Sequence, residues 1–305
     1  MLKKITQLLA GLVLISVLLV PAIKLKANFP TFQLIDFLLP FILIVLFLRR
    51  KEILFKKLYL IIGVFSLYVL FTIIYNNRTN QFRDYFEIYK LMKFLIVILL
   101  FSIIDFSSFM RFWIKPTFVV LVIGNLFHYF NLFNFNYIIE HYYNGGIHIQ
   151  TFGLNSLGEP SVKRMLGFAG NPNTNAAVFG FFSILLFPKD STIKRSIIWF
   201  LIAVFMLFLC QSRTNLIAFT VFLISSFFIL KSSAFFKVKF LSLILITFFI
   251  SFIVSSNAYI NALFSKDVMQ HNSLMGRIET WKHLWEMIKE KPIFGHAPYK
   301  EYFYQ

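Results

Sequence analysis

One cysteine, Cys210, is the only thiol in the chain. An internal disulfide is therefore excluded, and a single thiol says nothing about redox compartment. Charge is also scarce, at 14% of residues, and acid is scarcer still, with 13 Asp and Glu against 30 Lys and Arg. A chain with so little charge lacks the polar coat of a soluble domain. No Gly-x-Ser-x-Gly elbow, phosphate-binding loop or dinucleotide fingerprint is present, which removes the common hydrolase and nucleotide-dependent classes. No internal repeat, low-complexity tract or soluble domain is visible. No three or four metal-ligating side chains occur at ligand spacing, so no metal and no cofactor are expected.

Apolar residues fill the space that charge leaves. They make up 58% of 305 residues, mean hydropathy is +0.74, and 42 residues are Phe. Apolar runs of about 17–20 residues recur, each long enough to cross a bilayer as a helix. About nine spans are expected, at 5–23, 31–48, 58–75, 88–104, 117–133, 172–188, 195–211, 214–230 and 239–256. The first follows Lys3 and Lys4 as a signal peptide would, but it is long and no clean small-x-small cleavage site follows, so it reads as an anchor helix. The fold class is all-α, a polytopic integral-membrane helical bundle. The net charge of +17 does not point to nucleic acid, because the basic residues lie in short loops between apolar helices. Membrane lipid headgroups are their ordinary partners.

Loop charge sets the orientation. With the N-terminus inside, the cytoplasmic segments hold the basic clusters at Lys3-Lys4, Arg49-Arg50-Lys51, Lys56-Lys57, Arg111 and Lys115, Lys189 to Arg195, and Lys231 to Lys239. The short external loops hold fewer, and long segments count little in this rule. Four regions follow: N-terminal spans over 1–133, an external loop over 134–171, further spans over 172–256, and an external tail over 257–305.

The tail contains an amphipathic helix that Ser273 can cap and Pro292 stops. Leu274, Ile278, Trp281, Leu284, Trp285 and Ile288 form one stripe at helical spacing, suited to the membrane interface. Arg277 falls on that stripe and so points toward membrane or protein. Two further arginines stand at span ends of the same sidedness. Asn171 can cap the sixth span, with Pro172 in its first turn and Arg164 just upstream. Ser212 can cap the eighth span, which Arg213 begins. Arginine near apolar helices costs about 2.5–3.5 kcal/mol at mid-bilayer. Its planar fork binds phosphate oxygens bidentately, and helix N-termini favour anions. Arg164, Arg213 and Arg277 therefore suggest a polyanion site such as one for a pyrophosphate. The competing reading is that each arginine snorkels to the interface or pairs with a local carboxylate.

Other polar residues carry weaker signals. Asp36 lies a turn inside the second span, either paired with a base or as an interfacial acid. His141 and His148 flank Gly145-Gly146 in the external loop, and His128 in the fifth span reads as a hydrogen-bonded core residue. Candidate bases near Arg277 are Glu279, His271, His283 and His296, each also readable as a solvated polar side chain.

Three blocks carry a resemblance. They are Arg164-x-x-Gly167-x-x-Gly170-Asn171-Pro172-Asn173, then Ser212-Arg213-Thr214, then Gly276-Arg277-x-x-x-Trp281 followed by Lys291-Pro292-Ile-Phe-Gly295. In order and spacing they resemble the O-antigen polymerase and O-antigen ligase family of polytopic bacterial glycosyltransferases, over about residues 160–300. The resemblance implies an inverting, metal-independent transferase of the inner membrane with an external active site. Its donor would be an undecaprenyl-pyrophosphate-linked glycan of a surface polysaccharide, O-antigen or capsule. Arg164, Arg213 and Arg277 would hold the pyrophosphate, with Asn171, Asn173, Ser212 and Trp281 in support. A carboxylate or imidazole would take the acceptor proton. A chain-length regulator and a flippase are implied partners. Family members usually continue past the Pro-x-x-Gly block with more external loop and spans. This sequence stops at Tyr304-Gln305 and reads as a shortened version. Polymerase is the leading reading and ligase the nearest alternative. From outside the class come a lipid-linked oligosaccharide flippase or transporter, and an inactive fragment. Transporters tend to show paired repeats and broken mid-membrane helices, and neither is visible.

Overall fold

The computed structural model describes residues 1–22, 32–53, 56–77, 82–143, 164–187, 193–229, 244, 272–293 and 295–296. Outside that set lie the expected ninth span at 239–256 apart from 244, loop residues 144–163 with Gly145, Gly146 and His148, tail residues 257–271 with His271, and the last residues from 297. The side chains of Arg213 and Arg277 also fall outside it, although both backbones lie in described helices.

Every regular element among the described residues is a helix. In order they are α1 Leu2–Leu18, α2 Leu34–Leu48, α3 Lys56–Tyr75, α4 Phe82–Ser102, α5 Phe106–Phe109, α6 Lys115–Phe130, α7 Phe135–Ile138, α8 Pro172–Leu185, α9 Ile193–Leu209, α10 Arg213–Ile229 and α11 Asn272–Glu290. A π-turn at Met110–Ile114 joins α5 to α6. Together they make one helix of 25 residues, Phe106–Phe130, long and apolar enough to cross a membrane. Leu34–Leu48, Leu60–Tyr75, Ile197–Leu209 and Thr214–Ser226 are shorter apolar helices.

Several helix boundaries differ from the sequence expectation, among them the start of α4 at Phe82 instead of 88 and the end of α1 at Leu18 instead of 23. The fifth apolar helix starts at Phe106 instead of 117, because Asp105 caps it, its Oδ1 accepting from Ser107 N at 3.2 Å. Residues expected to open a loop at 134 are instead helical, as α7 and a π-turn at Ile139–Tyr143.

The chain divides into two compact units, Met1–Thr117 with Met275–Gln305, and Phe118–Leu274. In the first unit α1 packs on α2, and α4 packs on α1, α2 and α3. Polar groups are satisfied inside this apolar bundle. The Ile35 N–H, an orphan donor at the start of α2, bonds Ser16 Oγ at 2.8 Å. Asp36 accepts from Gln33 N at 2.7 Å, Tyr89 OH at 2.6 Å and Lys93 Nζ at 2.8 Å, so it is the paired acid of the two readings. At the other end of α2 the buried Arg49 donates to Thr6 Oγ1 at 2.7 Å and pairs with Glu52. That hydrogen bond holds the Glu52 carboxyl below its usual pKa. The outward faces of α2 and α3 are apolar, with Phe37, Phe41, Phe47, Leu60 and Leu67 exposed.

The tail helix α11 also belongs to this unit from Met275 onward. It begins at Asn272, which places Ser273 in its first turn. It ends at Glu290, before Pro292, and the chain turns through Gly295 at φ +60. That turn is fastened to the end of α3. Lys291 Nζ donates to Asn76 Oδ1 at 2.5 Å, Asn76 Nδ2 donates to the Gly295 carbonyl at 3.1 Å, and the Tyr68 hydroxyl donates to the Ile293 carbonyl. Met287 is buried, while Trp281, Trp285 and Ile288 on the apolar stripe stay exposed.

The second unit packs through phenylalanine. Phe118 of α6 meets Phe179 and Phe182 of α8 and Trp199 of α9, with ring centroids 5.0–6.3 Å apart. Phe187 meets Phe200 and Phe222 edge-on at 5.4 Å. Such contacts add about 0.5–1.5 kcal/mol each beyond area burial.

The Asp36–Lys93 pair gives a direct test. Lys93→Met leaves a buried carboxylate without its cation and is expected to destabilise the chain by about 2–4 kcal/mol. Asp36→Leu with Lys93→Met together is expected to recover most of that loss. Thermal unfolding in detergent reads both.

Candidate functional site

The site is built where α8, α9 and α10 end or begin. Asn171 has extended backbone (φ −148, ψ 127), and its Oδ1 accepts from Asn173 N at 2.8 Å and Thr174 N at 3.4 Å. Pro172 follows at the first helical position, where its missing N–H costs nothing. The chain leading into α8 is fastened to the end of α9, where Met165 N donates to the Leu209 carbonyl at 3.1 Å.

Arg164 lies on that fastened segment. Its Nε donates to the Cys210 carbonyl at 3.3 Å and its Nη2 to Asn173 Oδ1 at 3.0 Å. These two acceptors fix the plane of the guanidinium. One holds it at the end of α9 and the other at the start of α8.

The start of α10 joins the same place. Gln211 turns the chain through left-handed backbone, φ 48. Ser212 is buried, its carbonyl accepts from Leu216 N at 2.9 Å, and its Oγ accepts from Asn215 Nδ2 at 2.8 Å. The same Asn215 nitrogen donates to the Asn173 carbonyl at 3.0 Å. Two helix N-termini are thus tied side by side, each presenting the positive end of its dipole. Arg213 is the first residue of α10.

Beneath this surface runs a chain of buried amides that the sequence reading did not single out. Asn125 Nδ2 donates to the Leu121 carbonyl at 2.8 Å. Asn175 Nδ2 donates to Asn125 Oδ1 at 2.8 Å and lies 3.4 Å from the Met165 carbonyl and 3.5 Å from Cys210 Sγ. The signal was available, since an amide inside an apolar span is costly unless paired. Gly167 closes against the chain at φ +55, and a Cβ there would meet Asn125 Oδ1 at 1.7 Å. Only glycine fits, by backbone and by space.

The remaining candidates are placed as follows. Glu279 and His283 are exposed on α11, and Trp281 is 73% exposed there. His296 bonds the Met287 carbonyl at 3.2 Å and lies 3.4 Å from Glu290 Oε2, capping the end of that helix. His128 is buried, with Nδ1 bonded to Asn136 Oδ1 at 2.8 Å. Arg277 lies on α11 in the first unit, Arg164 and Arg213 in the second. Among the described residues no three His, Cys, Asp or Glu side chains gather as a metal site would need.

Residues 198–305 match the family model described as O-Antigen ligase. The match supports the O-antigen polymerase and ligase family. It spans most of α9, all of α10 and α11, and so includes Arg213 and Arg277. No curated protein and no solved structure matches the chain. The likeness is to an O-antigen ligase domain and covers about a third of the chain. Members of the family are glycosyltransferase-like enzymes of the bacterial inner membrane that act on lipid-linked glycans.

Gly167→Ala is expected to lower stability by about 2–4 kcal/mol, from steric collision and backbone strain together. Adding Asn125→Ala leaves Asn175 Nδ2 2.7 Å from the new Cβ and removes the Asn125 acceptor of Asn175, so no recovery is expected. Thermal unfolding of the two variants reads this.

Proposed function

We propose that the chain is a polytopic inner-membrane transferase, N-terminus cytoplasmic, that polymerises undecaprenyl-pyrophosphate-linked repeat units of a surface polysaccharide on the external face. The observation that carries this reading is the placement of Arg164 where two tied helix N-termini meet, with Arg213 opening one of them. The exposed apolar faces of α2 and α3 and the long apolar helix Phe106–Phe130 support a membrane setting, for which the sequence reading expects about nine spans. The docking of the tail on the end of α3 supports a tail on the same side as the α3–α4 connection, which is external in this topology.

The acceptor hydroxyl attacks the anomeric carbon of the donor, the bond from that carbon to the pyrophosphate oxygen breaks, and configuration inverts. The hydroxyl proton passes to a carboxylate or imidazole, for which Glu279, His271, His283 and His296 are the candidates. Undecaprenyl pyrophosphate departs with the electron pair. Arg164, Arg213 and Arg277 stabilise the negative charge that grows on it, with Asn171, Asn173, Ser212 and Trp281 shaping their surroundings. The leaving group is good in itself, so the step requires no nucleotide or cation. The description of the matching family favours a second reading, in which the acceptor is a different glycolipid and the chain is a ligase.

The test is glycan transfer in lipid nanodiscs with undecaprenyl-pyrophosphate repeat units, products resolved as a ladder. Arg164→Ala, Arg213→Ala and Arg277→Ala are each expected to cut the rate by about 10²–10³. Arg164→Lys is expected to rescue little, because an ammonium cannot bridge two separated acceptors and still present a fork. A ladder unchanged in Arg164→Ala would refute the site. Product only when a second glycolipid acceptor is added would select the ligase.

A further inference from the structure

Past the end of α6 the chain makes a strained turn. Asn131, Phe133 and Asn134 all have left-handed backbone, with φ of 51, 53 and 57. Asparagine tolerates that region, and phenylalanine adopts it rarely. The turn reverses the chain onto its own unit, where Phe135 packs edge-on against Phe127 at 6.0 Å and Phe168 at 6.1 Å. Ile139 is fully buried and anchors the π-turn Ile139–Tyr143 against Gly167–Ala169.

With Ile139 turned inward, the aromatic residues around it are left open. Tyr137 is 61% and Tyr142 58% exposed, and His141 is exposed between them. Their rings are ordered against one another. Tyr137 and His141 are parallel within 4° with centroids 5.8 Å apart, and Tyr142 stands edge-on to His141 at 4.8 Å. The result is an angled aromatic surface, the Tyr137 and His141 planes parallel and the Tyr142 ring standing across them, with hydroxyl and imidazole groups at its edges. A pyranose ring suits such an angle, its C–H face lying on one ring and its hydroxyl rim meeting the polar edges.

Position points the same way. The π-turn rests on a segment that begins three residues after Arg164. Three residues of chain reach at most about 10 Å, on the order of a pyrophosphate and the sugar it carries. In a lipid-linked glycan the first sugar is bonded directly to that pyrophosphate.

We propose that Tyr137, His141 and Tyr142 form a stacking subsite for a pyranose of the lipid-linked glycan, beside the pyrophosphate held at Arg164. This rests on the pyrophosphate reading of Arg164. Stacking reads the face of a sugar more than its hydroxyl pattern, so a simple sugar suffices as probe.

The experiment measures equilibrium binding of two probes to the full chain in nanodiscs: undecaprenyl pyrophosphate, and the same lipid carrying one N-acetylglucosamine. The wild type should bind the glycolipid more tightly. Tyr137→Ala and Tyr142→Ala should each weaken glycolipid binding by up to about tenfold and leave the bare lipid unchanged. Tyr137→Phe should retain the wild-type preference, and unchanged thermal unfolding of each variant certifies the fold. Arg164→Ala should weaken both probes. Equal loss of both probes in Tyr137→Ala would overturn the subsite in favour of an aromatic belt in contact with lipid. No loss of either, or no sugar preference in the wild type, would overturn it outright. Selective loss in the tyrosine variants with Arg164→Ala unaffected would uphold the subsite and refute the pyrophosphate reading instead.

Discussion

Asn175 donates from a fully enclosed carboxamide to Asn125 and toward the Met165 carbonyl and the Cys210 sulfur. Between apolar helices no water is available to replace a lost partner, and an unpaired amide costs several kcal/mol. The constraint fixes three things at once. It sets the approach of α6 to α8, it holds the segment leading into α8, and it leaves no room at Gly167 for any side chain. The segment so fixed is the one that carries Arg164. The guanidinium is therefore aimed by groups beneath the surface, and the Cys210 carbonyl and Asn173 Oδ1 contribute to that aim. A site that must stabilise growing negative charge gains from this arrangement, since nothing has to reorganise when the charge appears.

Helix existence was legible in the sequence, because runs of Phe, Leu and Ile have few other uses at that length. The Asn171 cap with Pro172 after it was legible for the same reason that capping is general, as the residue type and the vacancy at the helix start are matched. Helix ends in the aromatic region were not. The turn at Asn131–Asn134 depends on Phe133 adopting a conformation its residue type disfavours while its side chain stays exposed, and residue type alone gives no signal of it. The role of Asn215 was hidden too. Its side chain ties α10 to a carbonyl 42 residues earlier, and a local motif carries no information on such a pairing. The extra charge partners of Asp36 lie equally far away, on α4.

In the first unit the same economy of polar groups appears at each helix end. Ser16, Asp36 and Thr6 each serve a neighbour's backbone or side chain, and the outer surface is left to Phe and Leu. The tail helix follows that logic in reverse. Its turn is held by Asn76 and Tyr68, while Trp281 and Trp285 stay open, as residues at a membrane interface do. The matched stretch runs in sequence from α9 through this tail.

The most direct test of an external anion site at Arg164 uses its partner Asn173. Cys210 is fully buried, so Asn173→Cys places one exposed thiol in the chain. The measurement is labelling by a membrane-impermeant maleimide in right-side-out and inverted vesicles, with and without undecaprenyl pyrophosphate. The account predicts labelling in right-side-out vesicles and protection by the lipid pyrophosphate. Labelling confined to inverted vesicles, or labelling that the lipid does not slow, would contradict it.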